Sequence, residues 1–321
     1  MLKRFPSVMA IVLGVLAQLP IAAHGRDSKV SHVVDDNAGS AVTFESSDGV
    51  LLHGRLFTPA GRTEVRGAIV FVHEPFRSSR DWAYMADRLA RKGFHSLIFD
   101  LRGHGESLMQ GDEELDREIF MEADWADLRL DLRAAVAFLK ERSHVPAEKL
   151  HLAGADLGGS LALQHAVKDE AMASVTMLSP GLGYDGLNVV GFGKAMERPL
   201  LLVFSTEDGY SRKSAQVIAE EAAGPVHVEM YYGVGHGSKM LSREPTLETL
   251  LISWFLGTVI IPENRPVEEA QKPEVSAKNF AGDLDNEAEK KRLEEQRKAT
   301  EAETEEAGGE EEERKRWVPG G

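Results

Sequence analysis

Asp156 stands at the centre of residues 149–164 (KLHLAGADLGGSLALQ), where an apolar run meets a glycine-rich corner and then a helix-forming segment. Strand, sharp turn and helix, with small residues two before and two after the central position, predict a strained backbone that lifts one side chain above a sheet edge. That side chain is a carboxylate. Attack by a carboxylate on an ester would give an anhydride, a poorer intermediate than the ester a serine hydroxyl forms. Ser160 is no substitute, because it falls inside the predicted helix and packs there. Two further candidates each follow an apolar run: Asp208 in Ser205-Thr-Glu-Asp, and His236 in Tyr232-Gly-Val-Gly-His-Gly. Upstream, Val72-His73-Glu74-Pro75-Phe76 closes another run. His73, His104 and His236 form no short ligand-spaced pair, so no metal is expected. No nucleotide-binding glycine fingerprint is present, so no cofactor is expected either.

The elements that must position these groups are legible in the patterning. Residues 42–57 alternate around Ser47-Asp48-Gly49 and predict a hairpin. Residues 67–73 are a continuous apolar run, as in a strand buried on both faces. Apolar residues at helical spacing, Trp82, Met85 and Leu89, mark a helix over 81–92 that Gly93 stops. A strand follows at 94–99 and leads into Asp100-Leu-Arg-Gly-His-Gly-Glu-Ser, whose Asp100 and His104 brace the loop by hydrogen bonds. Residues 108–120 read as an acidic, irregular loop. A long helix over 124–141 turns Leu128, Leu132, Ala135 and Leu139 inward. After the Asp156 corner come strands at 173–178, 199–205 and 226–232 and helices at 211–222 and 247–256, with a glycine-rich connection at 179–197. Trp82 and Trp125 are assigned to the core, and Tyr231 and Tyr232 to the sheet. Strands alternating with helices imply a mostly parallel sheet covered on both faces, with any site along the strand C-terminal ends.

This order and the Gly154-Ala-Asp156-Leu-Gly158 corner resemble the α/β-hydrolases, whose corner reads Gly-x-Ser-x-Gly, over roughly residues 42–256. The resemblance is to compact esterase and dienelactone-hydrolase-like members, since 179–197 is too short and glycine-rich to hold a helical cap. It implies a triad in which Asp208 orients His236 and His236 serves Asp156. It also implies an oxyanion hole from the N–H of Leu157 and the loop at Glu74 and Phe76. Pro75 has no N–H to give, and losing one donor costs about two to three orders of magnitude in rate. Two branches of the fold, the haloalkane dehalogenases and epoxide hydrolases, do use aspartate, which attacks an sp³ carbon. This chain departs from them in having Leu157 where they carry Trp, and in lacking their cap with its leaving-group donors. Three readings follow: a hydrolase acting through Asp156, Asp208 and His236 on an ester-like or sp³ electrophile; slow esterolysis with His236 and Asp156 activating water directly; or a non-catalytic relative that binds or scaffolds.

Composition bounds the rest. Of 321 residues, 42% are hydrophobic, enough for a substantial core. Residues 1–25 read as a secretory signal, with Lys3 and Arg4 before an apolar stretch too short for a comfortable membrane span. An exported protein, periplasmic or secreted, without stable membrane insertion after cleavage, is the expectation. The chain has no cysteine, hence no disulfide. Residues 262–321 hold 18 acidic and 11 basic residues, a net of −7 within the chain's −15. Such a stretch reads as a solvated, disordered tail or a segment that meets a protein partner. The acidic balance excludes a nucleic-acid surface. The expected organisation is a signal peptide at 1–25, a flexible segment at 26–41, the α/β-hydrolase domain at 42–261 and the tail at 262–321. The expected ligand is a small molecule.

Overall fold

The computed structural model describes residues 39–259 apart from Arg62, Glu170 and Asp185. The expected signal, most of the 26–41 segment and the charged tail lie outside the described residues. β1 (Ser40–Glu45) and β2 (Val50–Phe57) form the expected hairpin, in register from Ser40↔Leu56 to Glu45↔Leu51. β1 opens two residues before the patterning marks it. β3 (Gly67–Val72) is buried throughout, as its unbroken apolar run requires. A 3₁₀ turn (Ser79–Trp82) leads into α1 (Ala83–Ala90), and β4 (Phe94–Phe99) follows.

The acidic loop is more ordered than its composition suggests. β5 (Met109–Gln110) and β6 (Glu113–Glu114) form a short hairpin, and β5 pairs with β2 at Val50↔Gln110. Glutamates disfavour strand on propensity alone; here the open edge of β2 supplies the partner. Next come α2 (Glu122–Ser143), β7 (Leu150–Ala155) and α3 (Leu157–Lys168). β8 (Ser174–Leu178) follows, then the tiny hairpin β9 (Gly183–Tyr184) and β10 (Leu187–Asn188). The chain continues through β11 (Leu200–Ser205), α4 (Gly209–Glu221) and β12 (Val226–Tyr231). It closes with α5 (Lys239–Arg243), which the patterning missed, and α6 (Pro245–Phe255). Among the described residues the 179–197 connection holds only the small hairpin and a 3₁₀ turn at Phe192–Ala195, so no helical cap covers the sheet there.

The sheet order is β12-β11-β8-β7-β3-β4-β2-β5-β6, with β1 paired to β2. From β12 to β4 the neighbours are parallel; β2 joins β4 antiparallel. Because successive strand residues face opposite sides, each central strand feeds two cores. Ala68, Val70 and Val72 pack with Leu128, Leu132 and Leu161 of α2 and α3. Ile69 and Phe71 pack with Trp82, Met85 and Trp254 on the other side. The four inward residues expected on α2, Leu128, Leu132, Ala135 and Leu139, are all buried. Trp82 is core as expected, but Trp125 is only half-buried, edge-on to Phe120 and 6.3 Å from Phe76. No helix among the described residues is long and apolar enough to cross a membrane.

One polar tie crosses the layers. Arg102, nearly buried, sends Nε and Nη2 to Asp131 Oδ1 of α2 at 2.9 and 2.7 Å and its other N–H groups to Asp48 in the β1–β2 turn. Its backbone N–H also reaches Asp131 Oδ2, at 2.9 Å. Burial alone would pull the guanidinium pKa down; the two carboxylates outweigh it and push it up. Removing one partner of such a pair strands a buried charge. Asp131→Ala should therefore lower the unfolding free energy by about 3–5 kcal/mol in urea titration, while the double change Arg102→Met/Asp131→Leu should lose far less.

Candidate active site

Asp156 sits at the strand-to-helix corner between β7 and α3 with φ 53° and ψ −121°, a conformation that costs a non-glycine residue about 1–3 kcal/mol. The surroundings over-determine it. Its N–H donates to the Leu178 carbonyl at 2.8 Å, and its carbonyl accepts from Gly159 and Ser160 at 3.0 and 3.2 Å. A Cβ on Gly154 would lie 2.2 Å from the Gly158 backbone, and one on Gly158 would lie 2.5 Å from the His73 carbonyl oxygen. Only glycine allows this double approach, which also presses the corner onto the loop after β3. Ser160 is buried and donates to the Gly181 carbonyl at 2.9 Å, so it is the packed helix residue the sequence indicates.

The three expected residues meet. His236 Nδ1 lies 2.6 Å from Asp208 Oδ2, and His236 Nε2 lies 3.6 Å from Asp156 Oδ1. Asp208 is fixed as the N-cap of α4, its Oδ1 accepting the Ser211 N–H at 2.9 Å. Burial pushes the Asp208 carboxyl up, but the bonds from His236 and Ser211 outweigh it and hold it below the usual range. The loop carrying His236 is clipped to β11 by Glu207, whose two carboxyl oxygens accept the Gly233 N–H at 2.8 and 2.9 Å. Between the Asp156 and Asp208 carboxylates the His236 imidazole is pushed up to about 10. Asp208 is the tighter contact by distance. At neutral pH the ring is an imidazolium and has no lone pair with which to act as a base. Its side chain is 45% exposed, so the site opens to solvent.

The structure adds a residue no motif pointed to. Tyr184, on β9, donates its hydroxyl to Asp156 Oδ1. Burial, then the Asp156 charge, push this phenol well above its ordinary value, so it stays a donor. Its hairpin is pinned by the Tyr210 hydroxyl, which accepts from Leu182 and Gly183 N–H at 3.1 Å and donates to the Gly183 carbonyl at 3.0 Å. Tyr184 and His236 thus both address Oδ1, while Asp156 Oδ2 takes no hydrogen bond among the described residues. A tyrosine in a glycine-rich connection carries no sequence signal for this role.

The residues expected at an oxyanion hole are placed differently from one another. The N–H groups of Leu157 and Phe76 donate to no acceptor among the described residues. Phe76 holds φ 60° with its ring 64% exposed and Arg117 over one face. Glu74 instead turns its carboxyl inward, 3.0 Å from Ser238 Oγ and 3.1 Å from Arg77 Nε. His73 donates from Nδ1 to the Glu74 carbonyl and accepts the Leu101 N–H on Nε2, at 2.7 and 3.0 Å. His104 donates from Nδ1 to the Arg102 carbonyl at 2.8 Å. Burial lowers both imidazoles, His104 to about 4. These are neutral braces. Asp100 braces the same loop, accepting from Ser79 and Glu106 N–H. Tyr231 ends β12 as expected, whereas Tyr232 projects from the sheet, mostly exposed. The groove at Arg133, His165 and Lys168 is lined by residues near the far end of α3 and contains none of this chemistry.

Comparison with known proteins comes to the same architecture. A family model described as alpha/beta hydrolase fold matches residues 67–217, a span that holds Asp156 and Asp208 but stops short of His236. A dienelactone hydrolase from Anabaena variabilis superposes with a TM-score of 0.50 at 19% identity, over 70% of this chain and 100% of its own. An esterase from Pyrococcus furiosus gives 0.54 at 17%, over 70% and 94%. A monoglyceride lipase variant from Saccharomyces cerevisiae gives 0.55 at 13%, over 70% and 96%. No curated protein sequence matches significantly.

The charge on His236 is directly measurable. Its imidazole should titrate near pH 10 by NMR and fall well toward its ordinary 6.5 in Asp156→Asn. The folded-state value is the raised one. The stability it contributes is therefore complete below about pH 6.5 and lost as the pH climbs through about 10.

Proposed function

We propose that this chain, which adopts the α/β-hydrolase fold, is a hydrolase in which Asp156 attacks an sp³ carbon and His236 then directs water at the resulting enzyme ester. The observation that carries this reading is the placement of His236 between two carboxylates. An imidazolium cannot deprotonate water, which argues against direct base catalysis in the resting site. Once Asp156 is esterified its negative charge is gone, and with it one of the two anions holding the proton on His236. The ring becomes basic only when there is an ester to hydrolyse. Asp208, unchanged through the cycle, keeps the imidazole oriented. Tyr184 and His236 engage Oδ1 and leave Oδ2 free to attack. The Leu157 N–H, at the start of α3, is available to the oxyanion that forms when water adds to the Asp156 carboxyl carbon. The exposed Phe76 ring at the loop beside the site favours substrates with an apolar substituent.

A second reading has its own observation. The Tyr184 hydroxyl already occupies Asp156, and Pro75 withholds an amide where the fold commonly supplies one. On that reading the pocket binds a small molecule without turning it over. The N-terminal patterning supports export to the periplasm or beyond, and the acidic tail supports a protein partner; both belong to this proposal.

His236→Gln discriminates. With a reactive alkyl electrophile, this variant should accumulate a covalent adduct on the Asp156 peptide by mass spectrometry, its hydrolysis slowed about 10²- to 10⁴-fold. In the parent, single turnover in ¹⁸O-water should place label in the Asp156 carboxylate. An unlabelled carboxylate would sink the covalent mechanism, and tight binding with no adduct in either protein would favour the non-catalytic reading.

A further inference from the structure

The end of α3 far from Asp156 carries a cluster of charge that the hydrolase chemistry does not use. Arg129, Arg133 and Lys140 recur along α2 at intervals of four and seven, so they share one face of that helix. His165 and Lys168, three apart on α3, meet that face across the seam between the two helices. The groove there is lined by Arg133, His165, Lys168, Asp169 and Ala171, and it continues past Arg129 and Gln164. Lys140 is paired with Asp169 at 3.3 Å and Arg129 with Asp127 at 3.0 Å. Arg133 and Lys168 are exposed, and neither has a carboxylate partner among the described residues. His165 lies beside them, its Nε2 buried without a hydrogen-bond partner. Burial first, and the Arg133, Lys140 and Lys168 charges after it, hold this imidazole down at about 4 against Asp169. The ring is neutral, so the charge of the groove is that of its arginines and lysine. Like charges four apart on a helix repel. An anion laid over the seam would offset the repulsion between Arg129 and Arg133.

The chain itself carries the complementary charge. From Glu301 to Glu313 it has eight glutamates and no basic residue. Most of the protein would turn such a run away, because residues 1–261 carry a net −8, the chain's −15 less the −7 of residues 262–321. The connection to it also starts close to the groove. Trp254, in the last turn of α6, donates from Nε1 to Ser174 Oγ at 3.2 Å, and Ser174 is three residues from Ala171 in the groove wall. Both α3 and α6 therefore end at the edge where β7 and β8 begin, opposite the edge that bears Asp156. Residues 260–300 can extend over about 135 Å, ample for a groove at that same edge. We propose that residues 301–313 seat their carboxylates in the α2–α3 groove of their own chain, against Arg133 and Lys168. One exposed ion pair contributes little. A run of carboxylates on a tether acts at an effective concentration on the order of millimolar, so single pairs exchange while the run stays in place. The contact does not depend on the hydrolase reading, and a protein partner of the tail would have to displace it.

The chain has no cysteine, so Ala307→Cys gives a single attachment point for a nitroxide inside the acidic run. In the full ¹⁵N-enriched chain at low salt, the amide signals of Arg133, His165 and Lys168 should broaden relative to the reduced label. The broadening should be lost at about 1 M salt, where the Debye length is about 3 Å. It should also be lost in the double change Arg133→Glu/Lys168→Glu, at two exposed positions remote from Asp156. A mixture of nitroxide-bearing unenriched chain with enriched unlabelled chain should show no broadening at all. Groove signals as sharp as with the reduced label, or broadening that survives both high salt and charge reversal, overturn the proposal. Broadening in the mixture as strong as in the single chain also overturns it, since the occupant is then a second copy.

Discussion

The site exists because two stretches of backbone touch where a methyl group would not fit. Gly154 and Gly158 let the end of β7 fold back on the start of α3, and Gly158 in turn lets that corner press on the carbonyls of Val72 and His73. The positive φ of Asp156 follows from this contact. So does the position of the loop after β3, which brings Glu74 within electrostatic reach of Asp156 and His236. Sheet order then does the rest. β7 lies between β3 and β8, with β11 and β12 beyond, so the loops bearing Glu74, Asp156, Asp208 and His236 all open at one edge.

Placing a carboxylate where the fold commonly has a hydroxyl changes the electrical character of that edge. A neutral nucleophile leaves histidine balanced by one aspartate. Here the imidazole faces two, and its proton becomes a resident of the site rather than a visitor. Charge on the nucleophile and charge on the histidine are then linked, so neutralising one releases the other.

How much of this could be read from the sequence depended on whether the signal was local. The continuous apolar runs of β3 and β11 announced buried strands, and the corner around Asp156 announced itself by small residues at fixed spacing. Asp208 and His236 were legible because each directly follows a strand. Other features depend on partners far along the chain. Glu74 meets Ser238, 164 residues away, and Tyr184 reaches Asp156 from 28 residues downstream. The pairing of β5 with β2 overrode a glutamate-rich composition, and Trp125 stopped at half-burial, packed against the core while also meeting the rings of Phe76 and Phe120. Propensity and periodicity describe a segment, whereas these outcomes were decided by what the fold set beside it.

The edge position of β12 has a consequence for how the protein fails. Among the described residues this strand has a single neighbour, β11, and its residues are largely half-buried, unlike the enclosed β3 and nearly enclosed β7. The loop that carries His236 hangs from its end, held to the body by Glu207 and by the bond from Gly237 to Ser179. Segments with few buried contacts open at lower free energy than the core, in exchange events that leave the rest folded. The loop bearing His236 should therefore open at lower free energy than the buried corner bearing Asp156. Warming this protein should loosen His236 from Asp208 while Asp156 still stood in place, a local change that circular dichroism of the backbone would not see.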